Sequence, residues 1–136
     1  MMTTPDELEL QHTLATATAR YDELRMRDAL ATMTGEPDAS GPPPLTREQS
    51  LELLALGEVL IRKAGYGRQA MVRSARSAGA SWTQVGAALG SSKQAAWEAH
   101  NRWLEDQARQ HEETDFQGLD ADDVAQARRL AGAPDA

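Results

Sequence analysis

The chain has 136 residues, a formal net charge of −7 and no cysteine. A chain of this length forms one small domain with appendages, and without cysteine it has no disulfide, no thiol nucleophile and no cysteine zinc site. A hydrophobic content of 40% with only 4% aromatic residues predicts an all-α fold with a core of leucine and alanine. No apolar run approaches the length of a membrane span and no basic leader begins the chain, so we expect a cytoplasmic protein that does not bind a membrane.

Residues 1–34 are acidic and predict one amphipathic helix from Pro5 to about Met33. The apolar residues of this helix are spaced four, three, four and three positions apart, which is a heptad seam: Leu10, Leu14, Ala17, Tyr21 and Leu24. The seam is shorter than the three or four heptads that indicate a coiled coil. It can therefore pair with a second copy of the chain or pack on the next helix of the same chain.

Residues 35–45 predict a linker rich in glycine and proline, because three consecutive prolines favour an extended backbone. Thr46 and Gln49 have the spacing of a capping box and start a helix that runs to about Ala64. Apolar residues surround this helix so widely that we expect it to be buried on more than one side: Leu51, Leu53, Leu54, Leu56, Val59, Leu60 and Ile61. The segment Gly65-Tyr66-Gly67 then ends it, and a helix follows over residues 68–78.

The next stretch predicts two capped helices joined by a glycine turn. Gly79 can close the preceding helix in the left-handed conformation, and Ser81 with Gln84 has the spacing of a second capping box. A short helix over residues 82–89 ends at Gly90, which adopts a positive φ without strain.

Ser91 or Ser92 caps the second helix of this pair. Gly86 lies where two helices that cross at a wide angle come closest, so a side chain larger than that of alanine would hold them apart. Each helix carries an inner stripe at helical spacing: Val85 and Leu89 on the first, Ala96, Ala99 and Trp103 on the second.

Three groups of residues resemble the helix-turn-helix regulators of high-GC bacteria, whose tri-helical domain is similar to region 4 of sigma factors: Ala78-Gly-Ala-Ser-Trp, Val85-Gly-Ala-Ala-Leu-Gly and Ser92-Lys-Gln-Ala-Ala-Trp. The resemblance covers roughly residues 66–105. It implies that one set of residues is structural: Val85, Gly86, Leu89, Gly90, Ala96 and Ala99. It also implies that the second helix is a recognition helix with these residues facing outward: Ser92, Lys93, Gln94, Trp97, Glu98 and Asn101. A plain helical hairpin is the alternative.

The charge is unevenly distributed along the chain. Residues 1–61 carry four basic against eleven acidic residues, residues 62–109 carry eight against three, and residues 110–136 carry two against seven. The acidic total argues against nonspecific coating of nucleic acid, but the basic segment contains the motif and favours local contact with phosphates. Alternatively, its arginines pair with the acidic flanks.

We therefore predict a helical domain over residues 46–109, with its motif at 81–104, that binds double-stranded DNA. Ser92 and the helix N-terminus would hold a phosphate, Lys93 would reach guanine or phosphate, and Gln94 would pair with adenine. Trp97 either contacts thymine methyls and sugars or packs against a protein helix. Further contacts are expected on the recognition helix and on the helix before the turn: Asn101, Arg102, Arg68, Arg73 and Arg76.

One such domain buries little surface, so we expect a transcriptional regulator that reads two half-sites as a homodimer, formed through residues 8–33 or 51–61. The alternative is a protein-interaction adaptor, in which the motif does not bind DNA and the acidic helices bind a sigma factor, a polymerase subunit or a toxin.

An enzyme is not expected. His12, His100 and His111 lack the spacing of a metal or acid/base site, and no cofactor or metal is expected. We expect His100 to face solvent. Residues 110–136 predict an acidic, partly disordered tail with a short helix over residues 120–130, which either competes with phosphate for the basic surface or is solvated.

Overall fold

The computed structural model describes residues 3–33 and 43–136, and these form helices without any strand. The seven helices are α1 (Pro5–Gln11), α2 (Leu14–Met33), α3 (Arg47–Tyr66), α4 (Arg68–Ser77), α5 (Trp82–Leu89), α6 (Lys93–Thr114) and α7 (Ala121–Ala131). The all-α prediction is therefore confirmed. The chain divides into an N-terminal unit, Met1–Tyr66, and a C-terminal unit, Gly67–Ala136. Most of the predicted linker lies outside the described residues. No helix in the described ranges has both the length and the apolarity that a membrane crossing requires.

The single helix predicted over residues 5–33 is interrupted, so that prediction was wrong. His12 is extended, with φ −119° and ψ 145°. The Oγ1 of Thr13 then accepts a 3.2 Å hydrogen bond from the backbone N–H of Thr16, which caps α2. Threonine can satisfy a free backbone donor in this way, and it thereby stabilises a helix start inside an otherwise continuous pattern.

In the N-terminal unit, α1 and α2 pack on one side of α3. The buried core consists of residues from all three helices: Leu8, Ala17, Leu24, Ala55, Leu56 and Val59. Arg20 on α2 donates to the carboxylate of Glu52 on α3 through two hydrogen bonds of 2.9 and 3.0 Å. Ala17 and Leu24 belong to the predicted heptad seam, so this part of the seam packs within the chain.

α3 starts at the predicted capping box. The N–H of Thr46 donates to the Oε1 of Gln49, and the N–H of Gln49 donates to the Oγ1 of Thr46, both at 3.1 Å. The helix continues through Gly65 to Tyr66, two residues beyond the predicted end. In the single chain it is covered on one side only, because Leu51, Leu54 and Ile61 on its other side are exposed.

In the C-terminal unit the predicted turn chemistry is confirmed. Gly79 and Gly90 have φ values of 97° and 71°. Ser81 and Gln84 form the capping box that begins α5. The Oγ of Ser92 accepts from the N–H of Ala95 at 3.1 Å, so Ser92 and not Ser91 caps α6. Leu89 is exposed, contrary to the predicted inner stripe of α5.

α7 is an integral part of this unit. Asp120 caps it through the N–H of Asp123 at 2.8 Å, which confirms the short helix predicted here. Ala131 at its end lies in a core formed with residues of α4, α5 and α6: Val72, Trp82, Val85 and Ala96. The residues after α7 also lie against the unit, since a backbone oxygen of Ala136 accepts from the backbone N–H of Trp82 at 3.4 Å. The segment after α7 thus makes hydrogen bonds to Arg76, Trp82 and Trp97.

Candidate nucleic-acid interface

α5 meets the start of α6 at Gly86. A Cβ atom at this position would lie 2.8 Å from the backbone oxygen of Ser91 and 2.9 Å from the carbonyl carbon and oxygen of Ser92. The carbonyl oxygen of Gly86 accepts a 2.8 Å hydrogen bond from the N–H of Ser91. The approach is therefore backbone to backbone. The predicted need for a small residue is confirmed, and it is stricter than expected, because even the Cβ of alanine would overlap these atoms.

The first turn of α6 carries three of the predicted DNA contacts, and each has an intramolecular partner. The Oγ of Ser92 is engaged by the N–H of Ala95. The Nζ of Lys93 lies 2.5 Å from the Oδ1 of Asp135, in the segment after α7. The Nε2 of Gln94 donates to the Oε1 of Glu98 at 2.9 Å. Lys93 and Gln94 are exposed, so these partners can be exchanged for others.

Trp97 lies against the C-terminal segment of its own unit. Its Nε1 donates to the carbonyl oxygen of Gly132 at 2.7 Å, and its half-buried ring packs on the core around Trp82. Asn101, one turn later, donates from Nδ2 to the carbonyl oxygen of Trp97 at 2.8 Å. These two predicted contact residues therefore bond within the unit.

Arg76 is placed inside the unit. Its guanidinium donates to the carbonyl oxygens of Ala80 at 2.7 Å, Leu130 at 3.0 Å and Ala131 at 3.2 Å. Its Cζ lies 5.0 Å from the centre of the Trp82 ring, within the range of a cation–π contact. Cationic donors are favourable at the C-terminus of a helix, where carbonyl groups lack intrahelical partners. The guanidinium of Arg76 is therefore bonded within the unit and does not face outward toward a phosphate.

The remaining predicted cations are Arg68, Arg73 and Arg102. Arg68 and Arg102 are exposed and Arg73 is half-buried. Among the described residues none of the three forms an ion pair. Arg102 lies on the outer face of α6, in a shallow groove that also contains the carboxylates of Glu98 and Glu105. Trp97 and Asn101 complete the lining of this groove. Elsewhere in the basic segment Arg62 bonds to Asp6 at 2.8 Å, so pairing with the acidic flank occurs there.

His100 is buried, contrary to the expectation that it faces solvent. It is 1% exposed, and its ring centre lies 5.6 Å from those of Trp82 and Trp103. Its Nδ1 is 2.9 Å from the Oε1 of Gln69 on α4. Burial, together with the positive charges of Arg73 and Arg76, lowers the pKa of His100 to about 4. His100 therefore supports the interior of the motif in its neutral form.

The position of His100 could have been found from spacing. It follows Ala96 by four residues and precedes Leu104 by four, and all three are buried on the inner face of α6.

In the described ranges no group of three histidine, aspartate or glutamate residues is placed to hold a metal ion.

Comparison of the chain with protein-family models, with curated proteins and with solved structures found no match.

Proposed function

We propose that the C-terminal unit is a helix-turn-helix domain and that the protein is a sequence-selective DNA-binding transcriptional regulator. The observation that carries this proposal is the contact at Gly86, where a short capped helix meets the Ser92-capped start of a long helix through backbone atoms. A two-helix unit with a tight glycine turn can present the start of its second helix to the major groove.

The outer face of α6 supplies the proposed base contacts. Gln94, Glu98 and Arg102 are exposed and follow one another at intervals of four residues. They lie on the side of α6 opposite to its buried residues Ala96 and His100. Glutamine can pair with adenine, glutamate can accept from cytosine N4, and arginine can donate to guanine or phosphate.

Arg68 and Arg73 on α4 are proposed to contact the phosphate backbone, as is the N-terminus of α6 at Ser92. Lys93 is proposed to make a further phosphate contact, in which a phosphate oxygen replaces the carboxylate of Asp135 as the partner of its ammonium group. Arg76 and Trp97 are left out of the proposed interface because their donors bond to the carbonyl oxygens at the end of α7 and just after it. Asn101 is assigned to the edge of the interface, since its amide donates within α6.

A protein-interaction adaptor is the second candidate, and the acidic groups at the outer face of α6 favour it. Glu98 and Glu105 flank Arg102, and Asp135 neutralises Lys93. Carboxylates at these positions oppose the approach of phosphates, whereas a basic or apolar partner helix would tolerate them.

The test is selection of bound duplexes from a random DNA library with the full chain at low salt, followed by affinity measurements at two salt concentrations. If the domain reads bases, Gln94→Ala removes the preference for the selected sequence. Gln126→Ala makes the same change at an exposed position of α7 and should leave the preference intact. If no sequence is enriched and no salt-dependent binding occurs, the DNA-binding proposal is wrong and the adaptor is favoured.

A homodimer is proposed because one motif contacts only a short DNA segment, and two copies would read two half-sites about 34 Å apart.

A further inference from the structure

The outer side of α3 carries a second regular pattern. Arg47, Leu51, Leu54, Glu58 and Ile61 follow one another at intervals of four, three, four and three residues. This is the spacing of the a and d positions of a coiled coil. The stripe is about 21 Å long at 1.5 Å per residue. We call these five residues the outer stripe of α3.

The outer stripe is opposite to the side of α3 that packs on α1 and α2. The inner side carries the buried residues Ala55, Leu56 and Val59. On the outer stripe Leu51 is 51% exposed, Leu54 is 70% exposed and Ile61 is 69% exposed. Single exposed leucines are common on protein surfaces, but aliphatic residues at heptad spacing along one helix face are typical of a helix that binds another helix.

We infer that two copies of this chain associate through the outer stripe, with their α3 helices antiparallel and Leu51 of each copy against Leu54 of the other. The charged members of the stripe determine this orientation. Arg47 precedes Leu51 by four residues, and Glu58 follows Leu54 by four. In the antiparallel arrangement, pairing Leu51 with Leu54 therefore places Arg47 of each copy opposite Glu58 of the other.

The competing arrangements are unfavourable. A parallel pair places Arg47 against Arg47 and Glu58 against Glu58, and like charges at facing positions repel. An antiparallel pair shifted so that Leu51 meets Ile61 places Glu58 against Leu54, which would desolvate a carboxylate without a partner. One arrangement remains in which Leu51 and Leu54 meet each other and Arg47 meets Glu58. Ile61 of each copy then lies beyond the paired segment, because α3 of the partner begins at Arg47.

Both charged residues are available for such a contact. Arg47 and Glu58 are exposed, and within the described residues neither forms an ion pair. On the inner side of α3, by contrast, Glu52 already bonds to Arg20 of the same chain.

The two dimer surfaces predicted from the sequence differ in how much of each remains exposed. In the seam of residues 8–33, Ala17 and Leu24 are fully buried within the N-terminal unit, and the exposed Leu10 and Leu14 lie on separate helices, α1 and α2. The outer stripe of α3, within residues 47–61, is left exposed. The inference does not require that the protein binds DNA, although a two-fold arrangement suits a pair of half-sites.

Charge reversal in the full chain tests the inference, with the mass in solution measured by light scattering and by sedimentation equilibrium over a range of concentrations. We expect a dimer at micromolar concentration. Arg47→Glu and Glu58→Arg should each weaken the dimer about tenfold or more, because each creates two like-charge contacts in a two-fold dimer. The double variant Arg47→Glu/Glu58→Arg should restore the dimer, since the charges are exchanged and remain complementary.

Two controls accompany these variants. Asp22→Arg reverses an exposed charge on α2 and should leave the dimer intact. Leu54→Gln should produce a monomer, and circular dichroism checks that the variant remains helical. A monomeric native chain, a dimer that survives Leu54→Gln, or a double variant as weak as the single ones would each overturn the inference. The selection of bound DNA is an experiment separate from the mass measurement. A dimer that binds no DNA would therefore overturn only the proposed function.

Discussion

The indole Nε1 of Trp82, the first residue of α5, donates a 2.7 Å hydrogen bond to the carbonyl oxygen of Ala131, the last residue of α7. Arg76 donates to the same carbonyl oxygen at 3.2 Å. Because the last carbonyl groups of a helix have no intrahelical donor, these side chains satisfy acceptors that would otherwise be unpaired. The start of the motif and the end of α7 therefore form one packed structure.

Trp82→Phe should lower the free energy of unfolding by about 1–3 kcal/mol. A fully buried side chain loses volume, and the carbonyl oxygen of Ala131 keeps only the longer hydrogen bond from Arg76. Urea unfolding followed by tryptophan fluorescence measures this, since Trp82, Trp97 and Trp103 all lie in the C-terminal unit. Trp103→Phe is the matched control, because no hydrogen bond of its indole is found among the described residues. Equal losses for the two variants would contradict a role for the Nε1 hydrogen bond.

Local chemistry made much of the C-terminal unit predictable. Ser81 with Gln84, Gly79 and Gly90 act on neighbouring residues, so their effects follow from spacing along the chain. The need for a small residue at Gly86 was also predictable, because a tight turn brings two helix backbones together. The same kind of local signal at Thr13 was missed, since its partner Thr16 lies inside a continuous apolar pattern.

The environments of Arg76, Lys93 and Trp97 could not be predicted from spacing. Apart from the carbonyl oxygen of Ala80, which is close to Arg76 in sequence, the hydrogen-bond partners of their side chains lie 35 to 60 residues away, in or after α7. No local pattern brings two such segments together. A basic segment beside an acidic one is compatible with phosphate contact and with internal pairing. The sequence thus identified the helix that carries the candidate site but not which of its cations are already engaged.

Gly86→Ala should destabilise the C-terminal unit by about 1–3 kcal/mol, because the new Cβ overlaps backbone atoms that cannot move independently. The gain of about 1 kcal/mol in helix propensity is too small to reverse this. Gly57→Ala is the control, since a Cβ there would lie 3.8 Å from the Cε2 of Tyr21, an ordinary contact distance. Thermal unfolding followed by circular dichroism should show a loss for the first variant only, and a neutral Gly86→Ala would contradict the close approach.

Asp135→Asn should strengthen DNA binding if the proposed function is correct. The change removes the carboxylate that lies 2.5 Å from the Nζ of Lys93, so the ammonium group becomes free for a phosphate. The slope of log affinity against log salt should steepen by about 0.9 for one additional phosphate contact. Adding Lys93→Ala should cancel the gain, whereas Asp122→Asn, at an exposed position in the first turn of α7, should leave the slope unchanged. A gain that survives Lys93→Ala would show that Asp135 acts otherwise.

His100 should make the C-terminal unit less stable in mild acid. Its pKa is lowered to about 4 by burial and by nearby arginines, from an ordinary 6.5. Between these values the unfolded chain binds the proton and the folded chain does not, so stability falls as pH decreases, by about 2 kcal/mol from pH 7 to 5. Arg20 lowers the pKa of Glu52, so the charged carboxylate of Glu52 contributes to the stability of the fold, and this contribution is lost only below about pH 5. Urea unfolding by tryptophan fluorescence at the two pH values measures the difference. His100→Gln should abolish most of it and His12→Gln should preserve it, so an unchanged pH dependence in His100→Gln would contradict a buried neutral imidazole.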